Sequence, residues 1–121
     1  MAQVVEMDGA VLEAQFEAED GYLVFTTEDT PYEEALHIHW LARDGRVLDA
    51  VELSAPYTPA LFKDAVRVAP RTARFSFFDD GRTWSVEVAP TPRMRLGGLP
   101  RPARRRMAWW RSAWLALRAQ H

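Results

Sequence analysis

Apolar runs of strand length recur along the first three quarters of the chain, and an Asp-Gly dipeptide sits between them at 8–9, 20–21, 44–45 and 80–81. Asp-Gly favours a two-residue hairpin loop because a type I′ turn needs positive φ at both central positions. Such loops fix the pairing. Around Asp44-Gly45 they set Leu36 against Leu53, Ile38 against Val51, His37 against Glu52 and Leu41 against Leu48. Around Asp80-Gly81 they set Phe77 against Trp84, Phe75 against Val86, Arg74 against Glu87 and Ser76 against Ser85. Around Asp20-Gly21, Phe16 meets Phe25 and Ala18 meets Leu23, and around Asp8-Gly9 Val5 meets Leu12. In the last three hairpins along the chain apolar residues gather on one face, and a slip by one residue would turn them all outward, while the Asp8-Gly9 pair has less support. The pattern predicts strands near 3–7, 10–18, 22–28, 35–42, 47–54, 65–69, 72–79 and 82–89, an antiparallel meander with no long crossover.

Two stretches leave this pattern. In "APYTPALFKDA", 55–65, Thr58 before Pro59 resembles a helix cap with proline in the first turn, which would bring Leu61 and Phe62 over an open end of the sheet. "PTPRMRLGGLPRP", 90–102, carries four prolines and two glycines and reads as a connector. From 103 to 120 there is neither Gly nor Pro, and Met107, Trp110, Trp114 and Leu117 fall at i, i+3, i+7 and i+10, one helical stripe flanked by Arg104, Arg111 and Arg118. The expected fold is therefore mainly β: seven or eight antiparallel strands in a small barrel or sandwich, closed by one C-terminal amphipathic helix. The 121 residues suit one domain, with a body at 1–89, a connector at 90–102 and the helix at 103–120.

Composition supports a packed core, with 48% hydrophobic residues and five Trp. There is no cysteine, which excludes disulfides and thiolate metal sites. "MAQVVEMDG" lacks the basic start and apolar run of a signal peptide, and no stretch is long and apolar enough to span a bilayer, so a cytoplasmic protein is expected and membrane association is not. The net charge of −2 hides a division: all 17 acidic residues lie in 1–89, where they face seven basic ones, while eight arginines lie beyond. In the simplest reading the helix covers the β body, its indoles complete the core and its arginines meet the acids. Trp and Arg on one helix would also suit anionic lipid headgroups or a partner's groove. Nucleic acid is not expected, because a body of −10 repels phosphate.

Candidate chemistry is sparse. In "HIHW" the side chains of His37 and His39 project from one side of a strand, with Glu52 opposite His37, a weak metal-ligand set. The serines sit in no nucleophile context, Gly97-Gly98 matches no phosphate loop, and no cofactor is implied. Acids cluster at hairpin ends instead: Glu19 and Asp20; Glu28, Asp29, Glu33 and Glu34 beside Tyr32; Asp79 and Asp80. Such loops on a β scaffold suit recognition of a basic partner. A second possibility is a ligand cavity between a barrel mouth and the helix, lined by Phe75, Trp84, Trp110 and Trp114.

Antiparallel strands followed by a Trp-containing helix resemble the pleckstrin-homology architecture in element order. The resemblance departs from its lipid-binding members, whose first two strands are joined by a basic loop, whereas Asp8-Gly9 and Asp20-Gly21 lie in acidic or neutral sequence. The leading expectation is a non-enzymatic interaction protein of adaptor or immunity type whose acidic hairpin ends bind a basic protein. The alternative is a small-ligand or lipid-headgroup binder. Homodimerisation, through Trp109 or exposed sheet edges, is a separate expectation.

Overall fold

A computed structural model describes residues 11–29, 34–55, 58, 60–78, 80–93, 99–107 and 111–120. These form nine strands: β1 (Val11–Ala18), β2 (Gly21–Asp29), β3 (Glu34–Ala42), β4 (Val47–Ser54), β5 (Ala60–Ala69), β6 (Thr72–Phe78), β7 (Thr83–Arg93), β8 (Ala103–Arg105) and β9 (Ala113–Gln120). They make two antiparallel sheets, ordered β1-β2-β3-β4-β8 and β5-β6-β7-β9. One apolar cluster lies between them. Phe25, Leu36, Ile38, Trp40, Val51 and Leu53 of the first sheet meet Phe75, Phe77, Trp84, Val86, Leu115 and Leu117 of the second. Phe25 packs at ring-centroid distances of 5.2 Å from Phe62 and 5.3 Å from Phe75, so aromatic contacts bind sheet to sheet.

Hairpins form at the Asp-Gly dipeptides of 20–21, 44–45 and 80–81, but not all with the predicted register. Leu36, His37 and Ile38 pair with Leu53, Glu52 and Val51 as expected, until a bulge after Trp40 sets Leu41 against Val47 instead of Leu48. Only Gly45 carries positive φ at that turn (90°), and its N–H donates to the Ala42 carbonyl, so the loop is three residues long. The first and last pairings are both displaced by two residues: Phe16 faces Leu23, and Phe75 faces Trp84. A slip of two returns every side chain to its own face, so the hydrophobic pattern cannot detect it. The β1–β2 turn is Glu19-Asp20, and Gly21 is already in the strand. Glycine is required there by close approach, since a Cβ would collide with the Leu41 carbonyl and lie 2.9 Å from Trp40 Cζ2. The Asp8-Gly9 turn and the strand at 3–7 lie outside the described residues.

The C-terminal helix is not present, and that expectation is corrected. Residues 103–105 are a short strand on β4, and 113–120 are a full strand on β7, with Val86 opposite Leu117 and Val88 opposite Leu115. "AWLALRAQ" also reads with period 2: Leu115 and Leu117 are buried, while Ala116, Arg118 and Gln120 are exposed. Without β9 the apolar face of β7 would lie on an open edge; pairing covers it, and tertiary context overrides helix propensity. The closing helix on which the pleckstrin-homology resemblance depended is gone with it. Two further expectations change. The "connector" at 90–102 begins as strand, because β7 runs on to Arg93. The helical turn expected within 55–65 is replaced by β5, in which Phe62 reaches the core but Leu61 is 69% exposed.

A charged knot holds β9 in place. Asp49, on the inward face of β4 in line with Val51 and Leu53, has no solvent exposure. Its Oδ1 accepts from the Ala50 N–H at 2.9 Å. Its Oδ2 accepts from the Trp114 and Leu115 N–H groups, each at 2.9 Å, and from Arg105 Nη1. Arg105 Nη2 then donates to the Leu115 carbonyl at 3.0 Å. One carboxylate thus joins β4 and β8 of one sheet to β9 of the other. Removing it strands a guanidinium and three backbone donors. Asp49→Ala is expected to lose about 3–5 kcal/mol of unfolding free energy in urea titration, and Gly21→Ala about 1–3 kcal/mol from overpacking against the Leu41 carbonyl and Trp40. An Asp49→Ala loss under about 1 kcal/mol would show the knot to be incidental.

Candidate functional site

The acidic hairpin ends separate into two unlike groups. At the end where β1 turns into β2, arginines engage the carboxylates of Glu17 and Asp20 and the carbonyls of Glu17, Ala18 and Glu19. Arg43 donates to the Glu17 carboxylate at 2.6 Å, to the Glu19 and Ala18 carbonyls at 3.0 and 3.1 Å and to the Tyr22 hydroxyl at 3.2 Å. Arg67 donates to the Glu17 carbonyl and lies over the Phe16 ring. Arg71 donates to Asp20 at 2.7 Å and to the Val88 and Ala89 carbonyls at 3.0 and 2.7 Å, with its guanidinium over buried Trp40. The Arg71 hydrogen bond outweighs partial burial and holds the Asp20 carboxyl below its ordinary 3.8.

The opposite end carries Glu28, Asp29 and Glu34, where β2 leaves for β3. Register sets Asp29 directly against Glu34, two acidic residues opposed across the ladder. The Glu28 carboxylate lies 3.1 Å from His37 Nε2, with the Glu28 side chain 49% exposed. Among the described residues no lysine or arginine pairs with Glu28 or Glu34. Asp80, at the corresponding end of the second sheet, has its own counter-ion. Burial acts to raise its pKa, but the Arg82 backbone N–H at 2.9 Å and guanidinium at 3.0 Å prevail and lower it. Arg82 also covers the buried Trp84 ring at 4.8 Å. Tyr32, Glu33 and Asp79 lie outside the described residues, as does the side chain of Asp29.

The two other candidate sets are placed as follows. His37 and His39 share the face of the first sheet turned away from the core, with rings stacked 6.2 Å apart, and Glu52 is the register partner of His37. All three are buried. The Glu52 carboxylate is engaged by Arg104 Nη2 at 2.9 and 3.2 Å, and among the described residues no group of three or more such side chains could hold a metal ion. Of the proposed cavity residues, Phe75 and Trp84 are core, Trp114 is half-buried 6.4 Å from the Trp40 ring, and Trp110 lies outside the described residues. A cleft bounded by Phe16, Trp40, Arg67 and Arg71 holds about 10 Å³, room for one water.

Sequence reasoning missed Asp49, Arg105 and Arg71. Asp49 had a signal: it is the polar member of the inward series 49, 51, 53. Arg71 had none, because its partners lie on two strands remote in sequence. Among the described residues no helix is long and apolar enough to cross a membrane. Comparison with known proteins finds no family model, no curated protein and no solved structure that matches this chain.

A carboxyl with a depressed folded pKa contributes stability above its unfolded value and loses that contribution as pH falls through the folded value. The Asp20–Arg71 pair therefore acts above about pH 4 and fails below it. In Arg71→Ala, carboxyl-carbon NMR is expected to show Asp20 titrating back toward 3.8, with a shallower fall in melting temperature below pH 4. An unchanged Asp20 titration would contradict the pairing.

Proposed function

We propose that the chain is a non-enzymatic protein–protein interaction module of adaptor or immunity type, and that the β2–β3 hairpin end is its binding surface for a basic partner. One observation carries this reading: Asp29 and Glu34 oppose each other beside exposed Glu28, and Glu28 and Glu34 are paired with no described arginine. The same chain neutralises Glu17, Asp20, Asp44, Glu52 and Asp80 with its own arginines. Carboxylates left without a lysine or arginine partner, in a chain that pairs so many others, are the sort of local conflict that function explains. An arginine- or lysine-rich surface would relieve it and would be steered toward it before contact. The ligand-cavity alternative required a helix over a barrel mouth and is not carried forward.

Glu34→Gln separates the two roles. It is expected to change stability by less than about 0.5 kcal/mol. Glu28→Lys with Glu34→Lys is expected to weaken binding of an arginine-rich test peptide by about tenfold or more, and the wild-type affinity should fall steadily with added salt. Calorimetric titration at two salt concentrations, with chemical denaturation as the control, checks both. Affinity indifferent to salt and to the double reversal would end the reading.

A further inference from the structure

The two sides of the sandwich are finished differently. On one side β4, β8 and β9 are closed by the Asp49–Arg105 knot, and β9 shows solvent Arg118 and Gln120. On the other side lie the remaining edge strands, β1 of the first sheet and β5 of the second. All the large apolar residues exposed among the described residues are here: Val11 and Leu12 on β1, and Leu61, Val66 and Val68 on β5. Their exposures run from 45% to 69%, and no other strand contributes one. Scattered exposed leucines and valines are ordinary; five on two adjoining edges form a strip.

Charge along the strip selects its occupant. β1 carries Glu13 and Glu17 and no basic residue, whereas β5 carries Lys63 and Arg67 with one acid, Asp64. The two strands run in the same direction, since both finish at the end where Asp20 meets Arg71. Arg67 reaches the Glu17 carbonyl, so Lys63 and Glu13, each four residues earlier, lie at about the same height. A second copy rotated by a two-fold axis parallel to the strands keeps those heights and exchanges left for right. It sets Glu13 against the partner's Lys63 twice over and brings Val11 and Leu12 against the partner's Leu61. The other two-fold axis, perpendicular to the strands, would set acidic β1 against acidic β1. β5 has three register irregularities and positive φ at Asp64, devices that oppose continuation of a hydrogen-bonded ladder. The contact is therefore made by side chains.

We infer that this strip is the interface of a homodimer, in which the Val11/Leu12 edge of each chain packs on the Leu61/Val66 edge of the other with Glu13–Lys63 pairs fixing the axis. The inference concerns a different face from the acidic hairpin end and stands without it. Sedimentation equilibrium of the full chain is expected to show a reversible species of twice 13.8 kDa. Val66→Lys should raise the dissociation constant by about tenfold or more. Glu13→Lys and Lys63→Glu should each raise it about threefold, and the double exchange should restore it to within about twofold of wild type. Circular dichroism and the melting transition of each variant show that the fold is retained. A monomer at every concentration overturns the inference and leaves the strip to a different protein. A dimer insensitive to Val66→Lys overturns it as well, and one in which the double exchange restores nothing overturns the axis.

Discussion

The fold depends on one carboxylate that has nowhere to go. Asp49 occupies an inward position of β4 where its neighbours in the series are Val51 and Leu53, so its charge is sealed between the sheets. A buried carboxylate without donors would cost several kcal/mol, more than most domains could spare. Its four donors come from three places in the chain: its own strand, Arg105, and the backbone of Trp114 and Leu115. Those last two N–H groups explain why the terminal segment is a strand. In a helix beginning near 103 they would be consumed by carbonyls four residues earlier. In β9 they are free to satisfy Asp49, while the other edge of the same strand completes the ladder on β7. The buried charge thus favours one conformation of an ambiguous segment, which gives specificity without requiring that the ion pair add net stability.

The unequal distribution of charge along the sequence follows from the same logic. The basic tail does not project toward a partner as a block, because Arg104 and Arg105 return to Glu52 and Asp49. Arg43, Arg67 and Arg71 do likewise for the β1–β2 turn, and Arg71 additionally ties that turn to the carbonyls of β7. Arginine suits this work because its planar fork serves several acceptors at once and its face covers an indole. Trp40 and Trp84 are each capped in this way, at opposite ends of the sandwich. Among the described residues Glu28 and Glu34, at the β2–β3 end, have no lysine or arginine partner, and Glu28 meets His37 instead.

Much of the fold was legible because period-2 patterning is a strong signal. Among the described residues most strands of the body, their antiparallel pairing and the Leu36–Leu53 and His37–Glu52 pairs follow from it. What it could not distinguish were registers differing by two residues, since Phe16 faces the core whether it meets Phe25 or Leu23. The terminal segment was misread for a related reason. Trp114 and Leu117 fit a helical stripe, while Leu115 and Leu117 fit a strand, and no local rule chooses between them. The choice is made by the open edge of β7 and by Asp49, more than 60 residues away. The acidic ends were visible as composition, but their division into acids paired with arginine and acids without an arginine was not, because ion pairs such as Arg71–Asp20 span 51 residues.

The two surfaces have a geometric relation that neither reveals alone. A two-fold axis parallel to the strands preserves height, so both copies of the proposed dimer would hold their β2–β3 hairpins at the same end. Two clusters of carboxylates would then face one direction on a rigid frame. A basic partner that engaged one would meet the second at high effective concentration, and weak salt-dependent contacts would add as avidity without any new interaction. The perpendicular axis would place the clusters at opposite ends, and that gain would vanish. Steering by charge and burial of the apolar strip would in this way act on one another through the choice of axis, although the residues responsible lie on different faces of the chain.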